Sequence, residues 1–157
     1  MNYFNQFPSF NVLLKNKEET INFGEQLAKE ISPSSIILLK GPLGVGKTSI
    51  IQGLAKGLGI QEPVNSPTFP LSQHYQSNMY SLVHMDFYRI EKHDDALELF
   101  LQEEEEANQN GSIIAIEWPE ILGDLFSNNW ILDITYNKDF SRNLFIQRPS
   151  EIRKLFT

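Results

Sequence analysis

Eight consecutive residues, Gly41-Pro42-Leu43-Gly44-Val45-Gly46-Lys47-Thr48, place three glycines, an ammonium and a hydroxyl at the spacing G-x-x-x-x-G-K-[ST]. That combination suits the binding of a nucleotide's phosphates. Gly41, Gly44 and Gly46 lack a Cβ, so the backbone can take positive φ and come close to an anion. Their N–H groups form an anion nest, and the N-terminus of the helix that follows adds positive potential. Lys47 is the point charge for the β- and γ-phosphates, and the Thr48 hydroxyl is suited to Mg²⁺. The expected phosphate cradle therefore runs from Gly41 to Ser49, with Pro42, Leu43 and Val45 completing its backbone.

A nucleotide-bound Mg²⁺ also needs an acid near Thr48, usually at the carboxyl end of an apolar strand. Asp86 follows Leu82-Val83-His84-Met85, and Glu117 follows Ile113-Ile114-Ala115-Ile116. A parallel sheet gathers such ends at one edge, where ligands bind. One acid would order the metal with Thr48 and the other would orient the attacking water; the residues alone leave the two roles open. In Ser66-Pro67-Thr68, Pro67 fixes one φ, and Thr68 could sense a γ-phosphate as switch loops do. His74, His84 and His93 lack metal-ligand spacing and are taken as ordinary strand and cap residues. Trp118 is expected to pack into the core beside the site. Arg89 and Arg142 are within the chain's reach of phosphate, although lone arginines usually sit in water.

These groups need elements to position them. Ile36-Ile37-Leu38-Leu39 is a continuous apolar run suited to a buried parallel strand that feeds the loop. Ile50, Ile51, Leu54, Ala55 and Leu58 recur at helical spacing after it, with Gly57 and Gly59 to end the helix. Upstream, Phe10 to Leu14 reads as a strand, and Asn16 with Glu19 as a capping box for a helix whose buried stripe is Phe23, Leu27, Ala28 and Ile31. Downstream, the pattern predicts strands over 69–75 and 79–86 joined at Gln76-Ser77-Asn78, and a helix over 94–107. It then predicts a strand ending at Glu117-Trp118, a short helix over 119–126, and a hairpin of 130–136 with 142–147 around Asn137-Lys138-Asp139. Ser150 could cap a last short helix, and residues 1–9 are expected to be loosely held. The class is α/β, with a mostly parallel central sheet and antiparallel hairpins added; the strand order is not legible.

The chain has 157 residues, the size of one domain with a substantial core. Its net charge of -7 argues against sequence-independent gripping of nucleic acid by its own surface. With no cysteine, it has neither disulfides nor thiolate metal sites. No stretch approaches membrane-spanning length and the N-terminus lacks a basic region followed by an apolar core, so a cytoplasmic protein is expected.

The set Gly41–Thr48, Ser66-Pro67-Thr68-Phe69, His84-Met85-Asp86-Phe87-Tyr88-Arg89 and Glu117-Trp118-Pro119, in this order, resembles the TsaE family of small bacterial P-loop ATPases. The resemblance runs from the first strand to the C-terminal hairpin. It departs at Pro42, where the family usually carries an acid. It implies a P-loop NTPase fold, ATP and Mg²⁺ as ligands, and slow hydrolysis by the isolated protein. It also implies partnership with the TsaB–TsaD pair, which transfers threonylcarbamoyl to adenosine 37 of tRNA. By the same resemblance Thr48 and Glu117 map to the metal site, Asp86 to a catalytic carboxylate and Thr68 to a switch-like loop, while Trp118 lies beside the nucleotide; from the residues themselves, Lys47 joins Asp86 as a catalytic candidate and Arg142 joins the nucleotide contacts. The alternative is a small-molecule or nucleotide kinase, which needs a second substrate pocket, commonly rich in arginine. This chain offers only Arg89, Arg142, Arg148 and Arg153. A GTPase is disfavoured because Asn137-Lys138-Asp139-Phe140 puts phenylalanine where guanine recognition by N-K-x-D needs an acid.

Overall fold

The computed structural model describes residues 3–4, 8–67, 71–124 and 128–150. Its strands are β1 (Ser9–Leu14), β2 (Ile36–Lys40), β3 (Ser72–Gln76), β4 (Ser81–Asp86), β5 (Ile113–Glu117), β6 (Trp130–Tyr136) and β7 (Arg142–Gln147). Its helices are α1 (Lys17–Leu27), α2 (Lys47–Gly57) and α3 (His93–Asn110), with one 3₁₀ turn at Pro119–Leu122. The strands form one sheet in the order β1-β7-β6-β2-β5-β4-β3. The inner strands β6, β2, β5 and β4 are mutually parallel, and antiparallel pairing is confined to the two flanks. This is the α/β arrangement anticipated from the apolar runs, which are buried on both faces as parallel strands require.

Period-two alternation divides the sheet between two cores. Ile37, Leu39, Leu82, Ile113, Ala115, Leu132 and Ile134 face α1 and α2, and pack with Phe23, Leu27, Ile50, Ile51 and Leu54. Leu38, Val83, Met85, Ile114 and Ile116 face α3, and pack with Ala96, Phe100 and Ala107. The α1–α2 contact is a backbone seam. A Cβ on Gly24 would lie 2.2 Å from the Ile50 carbonyl oxygen, and one on Gly53 2.0 Å from that of Ile21. Only glycine permits this approach, and it sets where the N-terminus of α2 points.

Asn16 caps α1 by accepting from the Glu19 N–H at 2.9 Å, while Glu19 reaches past the cap to the Lys15 N–H at 2.7 Å. Several boundaries move from their expected places. Ala28 is the C-cap of α1 rather than part of it. Strand β4 starts at Ser81, because Ser77 accepts from the Met79 and Tyr80 N–H groups and holds 77–80 as a turn. Helix α3 gains a turn at its end, closing at Gly111 with φ 73°. Trp118 leaves β5 at φ 56°, and the 3₁₀ turn that follows stops at Leu122. The expected strand start at Phe69, the helix end at Phe126 and the helix after Ser150 lie outside the described residues. Among the described residues no helix is long and apolar enough to cross a membrane.

Candidate active site

Strand β2 runs into the glycine loop, and its register with β5 and β4 brings the acids to the same place. Leu39 pairs with Glu117, and Glu117 pairs with Asp86, so one row at the carboxyl edge carries both acids beside the start of the loop. Alternation turns both toward the α2 face, the side on which Thr48 stands. The Thr48 hydroxyl donates to Glu117 Oε1 at 2.6 Å across 69 residues of chain. Asp86 accepts from the Ser66 hydroxyl at 2.8 Å and from the Tyr88 N–H at 2.9 Å. Gly41, Gly44 and Gly46 all have positive φ, as the cradle requires.

Lys47 is buried at the start of α2. Its ammonium donates to the carbonyls of Gly41 at 2.5 Å and Pro42 at 3.0 Å, and lies 4.2 Å from the centroid of the Trp118 ring. Burial lowers its pKa from the ordinary lysine value, against the attraction of Glu117, Asp86 and Glu120. The two acids are pushed apart. Burial raises the Asp86 carboxyl, and Glu117 adds to this, outweighing the Tyr88 and Ser66 hydrogen bonds. Burial also pushes Glu117 up, but His84, Thr48 and Asp86 together outweigh it and hold its carboxyl below the usual range. Of the pair, Glu117 keeps the charge and Asp86 keeps the proton longer.

Around these groups is a cleft of about 440 Å³, lined by the loop, Ser66, Pro67, Leu71, Tyr88, Arg89 and Trp118. The structure brings together Leu43, Gly44, Gly46, Lys47, Thr48, Ser49, Asp86, Glu117 and Trp118 in this one cleft. Trp118 is half-buried and packs its ring against that of Tyr88, with centroids 4.9 Å apart and planes tilted by 43°, so it is a wall of the site as well as a packing residue. Pro42 and Leu43 are exposed at the loop tip, and Val45 is buried beneath it. Arg142 is at the loop but on its outer side, where Nε donates to the Val45 carbonyl at 3.0 Å. Thr68 lies outside the described residues.

Three residues that the pattern alone left aside belong to this environment. Ser66 holds Asp86. Tyr136 donates to the Gly44 carbonyl at 2.7 Å, pinning the loop from the β6–β7 hairpin, and no local signal predicts that docking. His84, expected to be an ordinary strand residue, is fully buried, with Nε2 3.4 Å from Glu117 Oε1. Its position two before Asp86 put it on the Asp86 face of the strand, a signal that was available.

The donors here are a hydroxyl and two carboxylates, the oxygen ligands of a hard cation such as Mg²⁺. Among the described residues no group of three or more His, Cys, Asp or Glu forms a ligand cluster. Mg²⁺ takes one or two protein groups and completes its shell with water and phosphate oxygens.

The site and sheet also match known proteins. A family model described as "Threonylcarbamoyl adenosine biosynthesis protein TsaE" matches residues 14–144. A protein of Nostoc named tRNA threonylcarbamoyladenosine biosynthesis protein TsaE is 40% identical over 132 residues, covering 83% of this chain and 81% of its own. A protein of the same name from Aquifex aeolicus is 36% identical over 111 residues, covering 69% and 76%. The crystal structure of Bacillus subtilis YdiB superposes with a TM-score of 0.73 over 93% of this chain and 89% of its own, at 24% identity, which speaks to the fold. With the matched span running from the end of β1 into β7 and enclosing the glycine loop, both acids and Trp118, this chain belongs to the TsaE family.

Proposed function

We propose that this chain binds ATP with Mg²⁺ in the cleft, hydrolyses it slowly by itself, and serves threonylcarbamoyl modification of adenosine 37 of tRNA by coupling that cycle to a TsaB–TsaD pair. In this reading the chain acts as one P-loop domain in the cytoplasm. The observation that carries it is the Thr48–Glu117 hydrogen bond at 2.6 Å at the foot of the glycine loop, with Asp86 in register beside it. A phosphate-binding loop needs no such pair of acids to hold a nucleotide; hydrolysis does. The names of the relatives supply the tRNA pathway, and the acidic charge of -7 supports leaving tRNA contact to partners.

The roles follow from the environments. Thr48 and Glu117 would hold Mg²⁺, Glu117 being the carboxylate of the pair that stays charged. The bound ion would neutralise charge on the β- and γ-phosphates. Lys47 moves from the Gly41 and Pro42 carbonyls to the phosphates, and Trp118 walls the place where its ammonium now rests. Asp86, whose carboxyl is raised, orients water and accepts its proton. Thr68 and Ser66 report the state of the phosphate site to the loop that carries them.

Lys47→Ala tests the reading. The variant should stay folded, lose ATP-dependent thermal stabilisation, and fail to support tRNA modification in an assay with the TsaB–TsaD pair. Unchanged ATP affinity in the folded variant would contradict the cradle. Full modification without this protein would remove the pathway assignment.

A further inference from the structure

His84 is the most deeply buried ionisable side chain beside the site. Its relative exposure is 0%, and neither ring nitrogen has a hydrogen-bond partner among the described residues. Burying an unpartnered imidazole is unfavourable where a leucine would fill the same space, and the adjoining positions Leu82, Val83 and Met85 are all apolar. His84 pairs in register with Ala115, a small residue two before Glu117. The next side chain on that face of β5 is Glu117, on the diagonal from His84, and His84 Nε2 comes to 3.4 Å from its Oε1. The same Oε1 accepts the Thr48 hydroxyl.

We propose that His84 is a positioning residue for the metal site: its Nε2–H holds the Glu117 carboxylate in the one orientation that serves Thr48 and Mg²⁺ together. Glu117 ends a strand, and its carboxylate has two oxygens and a flexible stem. Thr48 fixes one oxygen on the cradle side, and Asp86 stands opposite in the strand register. The imidazole supplies a third direction of restraint, from below. This is how partners of ligating carboxylates act in general, and replacing such partners typically costs about 10–100-fold in metal affinity. A few tenths of an ångström of closure would turn the 3.4 Å approach into a full hydrogen bond.

The inference rests on the nucleotide-site reading above, and the experiment separates the two. Binding of a non-hydrolysable ATP analogue is measured by calorimetry as Mg²⁺ is varied, for the parent protein, His84→Leu and His84→Gln. The leucine keeps the volume without the donor, and the glutamine returns an N–H near the Nε2 position. Analogue binding without Mg²⁺ should agree within about twofold across all three. The Mg²⁺ needed for half-maximal enhancement should rise about 10–100-fold in His84→Leu and return to within a few-fold of the parent in His84→Gln. His84→Met, with a more adaptable apolar chain, repeats the comparison should the leucine variant not fold. An unchanged Mg²⁺ requirement in the apolar variants overturns the proposal, as does an equal shift in apolar and glutamine variants, which would assign His84 to packing. Absence of Mg²⁺-dependent binding in the parent protein would instead overturn the nucleotide-site reading itself.

Discussion

At the scale of single residues, the site is a set of buried charges placed against one another. Asp86 and Glu117 share one register row, and only one of them can stay ionised at little cost. A carboxyl raised on folding contributes stability that is full below its unfolded value and is lost as pH rises through the folded one. Asp86 is of this kind. Glu117 is the reverse: its contribution is present above the unfolded value and is lost as pH falls through the lowered folded one. Asp86→Asn should therefore unfold at a higher temperature than the parent near neutral pH, by roughly 2 °C or more for a gain of about 1 kcal/mol. The difference should shrink as pH is lowered through the range in which the parent's Asp86 takes up its proton. Thermal unfolding between pH 4 and 8, without nucleotide or Mg²⁺, reads this directly. The same variant should bind ATP but turn it over about 10²–10⁴-fold more slowly, the range expected for a positioned base. A destabilised Asp86→Asn at neutral pH would mean that the Ser66 and Tyr88 contacts outweigh burial.

At the scale of elements, two contacts aim the loop. The glycine seam between α1 and α2 fixes the approach of α2, and the β6–β7 hairpin grips the loop's outer carbonyls through Tyr136 on Gly44 and Arg142 on Val45. A loop whose carbonyls are held outward leaves its N–H groups facing the phosphate side. Gly53→Ala should show how much the seam matters. Its Cβ would meet the Ile21 carbonyl oxygen at 2.0 Å, a rigid backbone neighbour, so the helices must separate. The expected loss is about 1–3 kcal/mol, measured by urea unfolding. ATP affinity should fall with it, because the α2 N-terminus moves away from β5 and Glu117. Stability within about 0.5 kcal/mol of the parent would mean the seam is looser than its geometry implies.

At the scale of the whole molecule, the cleft lies at the edge where chain connections diverge: β4 and β5 extend the sheet from one side of β2, and β6 from the other. That crevice is where open α/β sheets bind ligands. One wall, the segment ending at Ser66 and Pro67, is tied to the acids by the Ser66–Asp86 hydrogen bond. In the proposed reading, a change at the phosphates would reach a surface segment available to a partner. Affinity for TsaB–TsaD should accordingly differ between ATP and ADP states, by about 5–150-fold, the usual range for coupled sites. Ser66→Ala and Thr68→Ala should each reduce that difference. Titration against the assembled pair with each nucleotide measures it, and equal affinities in both states would separate the partnership from the switch.

Local chemistry was legible in the amino-acid order. The glycine loop, its feeding strand and its helix are contiguous, so spacing alone identified them. The β6–β7 hairpin appeared over the expected residues, because alternation and a polar turn are short-range signals. Asp86 and Glu117 could be singled out for the same reason: each ends an apolar run. What joins them was decided by tertiary structure. That β5 lies between β2 and β4, that Leu39, Glu117 and Asp86 fall in one row, and that Thr48 selects Glu117 all depend on pairings between distant segments. The grip of Tyr136 on Gly44 spans 92 positions, and the approach of His84 to Glu117 depends on the register of two different strands. Periodicity reports which face a side chain takes, but strand order and register follow from the packing of the two cores against one sheet, and no local pattern carries them.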